Sequence, residues 1–155
     1  LDFEKEIDES VLDVKVPRLV LQPILENAVI HGIERVKKGI IKIRIYRDKN
    51  KVFLEVVNSS GKVSDKERAK IHNILYGSPE EVRGVGKHTS LGIRNVNERI
   101  KLIYGREYGL DIDVNDENTS FKIVIPYEWE PEDEEETKQR VQIEMTKMRE
   151  EKEWK

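Results

Sequence analysis

Twice in this chain a run of alternating apolar and polar residues reaches a short polar turn and comes back: "GIIKIRIYRDKNKVFLEVVN" at 39–58 and "YGLDIDVNDENTSFKIVIPY" at 108–127. Side chains alternate across a strand, so Ile41, Ile43 and Ile45 share one face, as do Val52, Leu54 and Val56. Turns as short as "DKNK" and "NDEN" join antiparallel neighbours, so each run predicts a hairpin. This argues against a doubly wound parallel sheet.

The remaining segments fit around those hairpins. At the start, "LDFEKEIDESVLDVKVP" alternates around Ile7, Val11, Leu12, Val14 and Val16 and stops at Pro17, which predicts an edge strand. From Pro17 to about Ile33, Val20, Leu21, Ile24, Leu25, Ala28 and Val29 recur at helical spacing. Pro23 lacks a backbone donor and leaves open a start nearer Leu21. Ser64, with Glu67 three residues on, predicts a capped helix over 64–76. Residues 77–92 hold Gly77, Gly84, Gly86 and Gly92 and little apolar mass, so a long, mobile loop is expected, followed by a helix from Ile93 to about Tyr104.

The order β, α, ββ, α, loop, α, ββ predicts an α+β fold: a two-layer α/β sandwich with an antiparallel or mixed sheet covered by helices on one face. Residues 1–127 would form that domain. Beyond it, 128–155 is an acidic run followed by mixed charge, with Val141, Met145 and Met148 at helical spacing. A helical C-terminal extension is expected, with a solvated, partly frayed tail weighed above packing.

Composition narrows the functional classes. The chain has no cysteine, so it carries no disulfide framework and no thiolate metal site, with the cytosol as the default compartment. No apolar run approaches the roughly 18 residues of a membrane span, and no signal peptide is expected. A net charge of −3 argues against a general grip on nucleic acid, while a local basic site could still serve a phosphate.

The unusual feature is "LQPILENAVIHGIE" at 21–34, an apolar helical stretch with Glu26, Asn27 and His31 in its middle. Asn27 and His31 are one turn apart on one face, with Glu26 beside them. An Asn oxygen can ligate Mg2+, a His can donate to phosphate, and a Glu can orient water or accept a proton. The competing reading is a buried Asn satisfied by backbone and an exposed His near a helix end. A second clue is Gly92, read as directly preceding a helix whose free amides could meet an anion. "GVGKHTS" is not a phosphate-binding P-loop, because the first glycine would fall at Glu81 and His88 follows Lys87. His31, His72 and His88 lack zinc-ligand spacing.

Together, "VPRLVLQPILENAVIHGI" resembles the N box, and "HTSLGIRNVNERIKLIYGREYGL" the second glycine box and following helix, of sensor histidine kinases of the LytS/YesM type. The resemblance covers roughly residues 1–127 and implies the Bergerat (GHKL) ATP-binding fold, with ATP and Mg2+ as cofactors and an ATP lid between 77 and 92. It implies that Asn27 ligates Mg2+, that His31 lies near the phosphates, and that Lys87, His88, Thr89, Ser90, Leu91 and Gly92 form the lid end that approaches them. Glu26 would help activate the phosphoacceptor histidine. The implied partners are a histidine-bearing dimerisation domain of the same receptor and a response regulator. The chain would then be the cytoplasmic catalytic fragment of a membrane-anchored bacterial sensor, itself not inserted in the membrane, monomeric when isolated, and unable to autophosphorylate alone.

One signature departs. The family's first glycine box reads Asp-Asn-Gly-x-Gly, the Asp accepting a hydrogen bond from the adenine amino group. Here the stretch is "EVVNSSGKVS": aligning on Gly61 puts Ser59 at the Asp, and a shift of one residue offers Asn58 instead. Either is neutral and gives up the charge-assisted part of that bond, of order 1 kcal/mol or more. Ser90 also replaces the first glycine of the lid's Gly-x-Gly pair. These changes motivate a second reading, a pseudokinase module with weak or no nucleotide binding. A third is a small GHKL regulator that phosphorylates a protein partner.

Overall fold

The computed structural model describes residues 1–35, 38–59, 61–78, 87–130 and 134–153, without the side chains of 31–35, 87–90, 134 and 152–153. The middle of the expected mobile loop, 79–86, lies outside the described residues.

Strands β1 (Asp2–Ile7), β2 (Ile40–Asp48), β3 (Lys51–Ser59), β4 (Gly109–Val114) and β5 (Asn118–Pro126) form a five-stranded sheet in the order β1-β2-β3-β5-β4. Both hairpins form, β2 with β3 and β4 with β5, and β3 pairs antiparallel with β5 between them. The sheet is mixed because β1 lies parallel to β2 at the edge. Lys49 turns the first hairpin with a left-handed φ of 54°. β1 is shorter than its alternating pattern suggested: Asp8 Oδ1 accepts the Ser10 N–H at 2.9 Å and turns the chain into a 3-10 turn over Glu9–Val11. That local side-chain bond competes with continued extension.

Helices α1 (Gln22–Arg35), α2 (Asp65–Tyr76) and α3 (Lys87–Tyr104) lie on one face of the sheet, and α4 (Glu134–Glu153) follows the last strand. Pro23 ends up in the first turn of α1, where its missing N–H has no intrahelical partner to lose. The capping box forms, with Ser64 Oγ accepting the Glu67 N–H at 3.3 Å and Glu67 Oε2 accepting the Ser64 N–H at 2.9 Å. Between the layers, Ile41, Val52, Leu54, Val56, Phe121, Ile123 and Ile125 meet Ile24, Ala28, Ile74, Ile93 and Ile100 in one core. Burying each large aliphatic side chain is worth about 1.5–3 kcal/mol, which is what holds the helices to this face. The other face carries an ion-pair network: Glu6 pairs with Lys42 and Arg44, and Arg44 with Glu55, which also accepts from Ser120 Oγ at 2.8 Å.

Helix α3 begins at Lys87, not at Ile93. A glycine inside a helix costs only about 1 kcal/mol, and Gly92 serves packing instead: a Cβ there would stand 3.3 Å from Pro23 Cβ, so its bareness lets α1 and α3 approach. The expectation of a free helix end at Gly92 is therefore corrected. The C-terminal segment is helical, and it is more than a solvated tail: Val141, Met145 and Met148 are half-buried, and Arg140 Nη2 donates to the Leu102 carbonyl of α3 at 3.4 Å.

Candidate functional site

Strand β3 carries Val52, Leu54, Val56 and Asn58 on its helix-covered face, because the pleat repeats every two residues. Asn58 is 2% exposed, and its Oδ1 is the buried side-chain atom without a hydrogen-bond partner among the described residues. An acceptor left unpaired in the interior costs about 1–3 kcal/mol, which an N–H brought by a ligand would recover. Ser59, one residue on, faces the other way: its Oγ accepts the Ile40 N–H at 2.8 Å. The Ser59 hydroxyl is thus engaged in a strand-to-strand bond, whereas Asn58 Oδ1 has no partner among the described residues. Gly61 follows with a φ of 62°, a left-handed conformation that glycine takes without strain.

Cross-strand register adds a residue the sequence did not flag. Asn58 lies opposite Thr119 of β5 and Ile41 of β2, and Thr119 is 4% exposed. The only sequence signal was a hydroxyl in a row of core positions, Thr119, Phe121, Ile123 and Ile125, and threonine is an ordinary strand former.

Helix α1 packs against β3 and α3 with a buried stripe of Ile24, Asn27 and Ala28, continued by Val20 just before its start. Asn27 is 4% exposed and belongs to that stripe, so its carboxamide is placed in the layer that also holds Asn58. Glu26 is on the solvent side, where its Oε1 accepts from Gln22 Nε2 at 2.9 Å. It is not brought together with Asn27. His31 is one turn beyond Asn27 in α1, and its side chain lies outside the described residues.

The first turn of α3 is Lys87, His88, Thr89 and Ser90, whose amides, rather than that of Gly92, have no carbonyl four residues back within the helix. The side chains of these four lie outside the described residues, while Leu91 is exposed. Arg94, missed in the sequence, donates through Nη2 to the Gly77 carbonyl at 2.7 Å and ties α3 to the end of α2. Arg99 Nη1 donates to the Arg18 carbonyl at 2.7 Å, joining α3 to the approach to α1. Among the described residues there is no cluster of three or more His, Cys, Asp or Glu that could hold a metal. No helix among them is long and apolar enough to cross a membrane.

Comparison with known proteins places this architecture. The model of the histidine kinase-, DNA gyrase B-, and HSP90-like ATPase family matches residues 13–129. The chain is 30% identical over 128 residues to the sensor histidine kinase YpdA of Escherichia coli, which covers 81% of this chain and 20% of that protein. It is 26% identical over 122 residues to the sensor protein LytS of Oceanobacillus iheyensis, covering 78% of this chain and 20% of LytS. The chain thus spans about a fifth of the length of these relatives. Among solved structures, the nucleotide-free catalytic domain of the histidine kinase ThkA is 26% identical with a TM-score of 0.51, over 81% of this chain and 78% of that one. The histidine kinase domain of a blue-light activated kinase from Erythrobacter litoralis shares the fold, with a TM-score of 0.55 at 15% identity over 81% of this chain and 51% of that one.

Proposed function

The chain belongs to the histidine kinase-, DNA gyrase B-, and HSP90-like ATPase family, and from that premise we propose that residues 1–127 are the ATP-binding catalytic domain of a two-component sensor histidine kinase, with 128–155 a charged helical extension. Sensor kinases among its relatives support this reading. Bound ATP would supply the γ-phosphoryl group for a histidine on a dimerisation domain, and Mg2+ would neutralise charge on the phosphates. The residues present fit those groups. Asn58 Oδ1, buried and unpaired, accepts the adenine 6-amino N–H. Asn27 offers its carboxamide oxygen to Mg2+, and the first-turn amides of α3, Lys87 to Ser90, donate to phosphate oxygens beside His31. Glu26, being exposed, would act on an incoming acceptor histidine rather than on the nucleotide. Catalysis by such a domain is mostly positioning.

We extend the proposal to a response regulator as downstream partner, the class with which ThkA was solved in complex, and to a place on the cytoplasmic side of a membrane-anchored bacterial sensor. The observation that carries the reading is the unpaired acceptor of Asn58 in the layer that also buries Asn27. Calorimetric titration with ADP and a non-hydrolysable ATP analogue, with and without Mg2+, tests it. Micromolar, Mg2+-dependent binding that is lost in Asn27→Ala is expected. No binding up to millimolar nucleotide would sink the kinase reading in favour of a pseudokinase.

A further inference from the structure

The base end of the proposed nucleotide site is lined by two groups that can each donate or accept. Asn58 has an amide, with an oxygen acceptor on one side and an NH2 donor on the other, and Thr119, directly opposite it in register, has a hydroxyl that rotates to suit its neighbour. Both are at least nine-tenths buried. Ile41, on the other side of Asn58, is fully buried and apolar, so among the described residues the row Ile41, Asn58, Thr119 contains no ionised group.

That chemistry decides which purines fit. Adenine presents a 6-amino donor beside the N1 acceptor, whereas guanine and hypoxanthine present an O6 acceptor beside an N1–H donor. A carboxylate at position 58 could only accept, and would face guanine O6 with a second lone-pair donor and a negative charge. An amide meets either edge: Oδ1 toward the adenine amino group and Nδ2 toward N1, or, after a half-turn of the amide, Nδ2 toward O6 and Oδ1 toward N1–H. The half-turn exchanges donor and acceptor within one footprint and needs no backbone movement. Thr119 can follow it, because its hydroxyl hydrogen is free to rotate.

We propose that this chain is purine-tolerant: its nucleotide site accepts 6-oxopurine nucleotides as well as adenine nucleotides, and the neutral Asn58 sets that breadth. The proposal rests on the reading of Asn58 and its neighbours as part of a nucleotide site. A site whose polar groups are committed to one hydrogen-bonding pattern rejects the opposite pattern strongly, because a mismatched ligand leaves buried groups unpaired. An uncommitted amide carries no such penalty.

The test is a set of calorimetric titrations of the whole chain with ADP, GDP and IDP in Mg2+, repeated on Asn58→Asp, with circular dichroism to verify folding of the variant. GDP and IDP are expected to bind the unchanged chain within about tenfold of ADP. In Asn58→Asp, ADP should bind at least as tightly, while GDP and IDP fall behind it by about a hundredfold or more. ADP binding to the unchanged chain with GDP and IDP both a hundredfold weaker would overturn the proposal and leave the nucleotide reading standing. The same holds if the discrimination is identical in a folded Asn58→Asp. Absence of binding by all three nucleotides would overturn the nucleotide reading and this proposal with it. If the variant does not fold, the comparison of the three nucleotides on the unchanged chain still decides.

Discussion

Asn97 accepts the backbone N–H of Leu110 through Oδ1 at 2.8 Å, and the same oxygen stands 2.6 Å from where a Cβ on Gly109 would lie. One buried amide on α3 thus receives the first strand of the second hairpin, and only glycine leaves it room. Gly109 also has a φ of 143°, which a side chain rarely adopts. Gly109→Ala therefore meets both strain and collision, and we expect a loss of about 2–4 kcal/mol, read as a lower urea midpoint at unchanged slope. Asn97→Ala leaves the Leu110 N–H buried without its partner and should cost about 1–3 kcal/mol by the same measurement.

Gly92 is the second glycine with a steric role. Its missing side chain faces Pro23 at the crossing of α1 and α3, so Gly92→Leu should force the helices apart, costing about 1–3 kcal/mol in the same denaturation assay. Because α1 carries Asn27, nucleotide affinity should fall with it. A variant that keeps both stability and affinity would show that the crossing is loose.

How much of this was legible depends on how local the signal is. The hairpins were readable because a period of two and a short turn are properties of neighbouring residues, and the Ser64–Glu67 cap likewise spans one turn. Gly92 misled because glycine is the commonest mark of a helix boundary, while its use here depends on Pro23, far away in sequence. Asn58 and Ser59 could not be separated until the pleat assigned one to the core face and the other to Ile40. Thr119 became visible only through its register with Asn58. Family motifs marked candidate segments along the chain, and long-range pairing showed which of their side chains are buried beneath the helices.

The capping box offers a local test. Ser64 satisfies an N–H of the first turn of α2 and Glu67 returns a bond to the Ser64 backbone. Ser64→Ala is expected to cost about 1 kcal/mol, with faster amide exchange confined to the first turn of α2. Uniform loss of protection across the sheet would mean that the cap supports more than its own helix.

At the other end of α2, Tyr76 donates its phenol proton to Asp111 Oδ1 at 2.6 Å and stacks at a tilt on His72, with ring centroids 4.5 Å apart. Partial burial first, and then the bond to Asp111, push its pKa up to about 12 from the ordinary 10. The neutral phenol is the form the folded state favours, so the stabilisation is fully present below pH 10 and is lost as pH rises through about 12. The sign follows: the unfolded chain releases this proton first, so stability declines with rising pH across that window. The ring is more than half exposed, and the effect should be modest. Subtracting the phenolate absorbance titration of Tyr76→Phe from that of the unchanged chain should isolate one group titrating near 12. Asp111→Asn should bring that midpoint down toward, but not to, 10, because burial remains when the acceptor's charge is gone. A Tyr76 midpoint of 10 in the unchanged chain would mean that the bond between α2 and β4 is not held in solution.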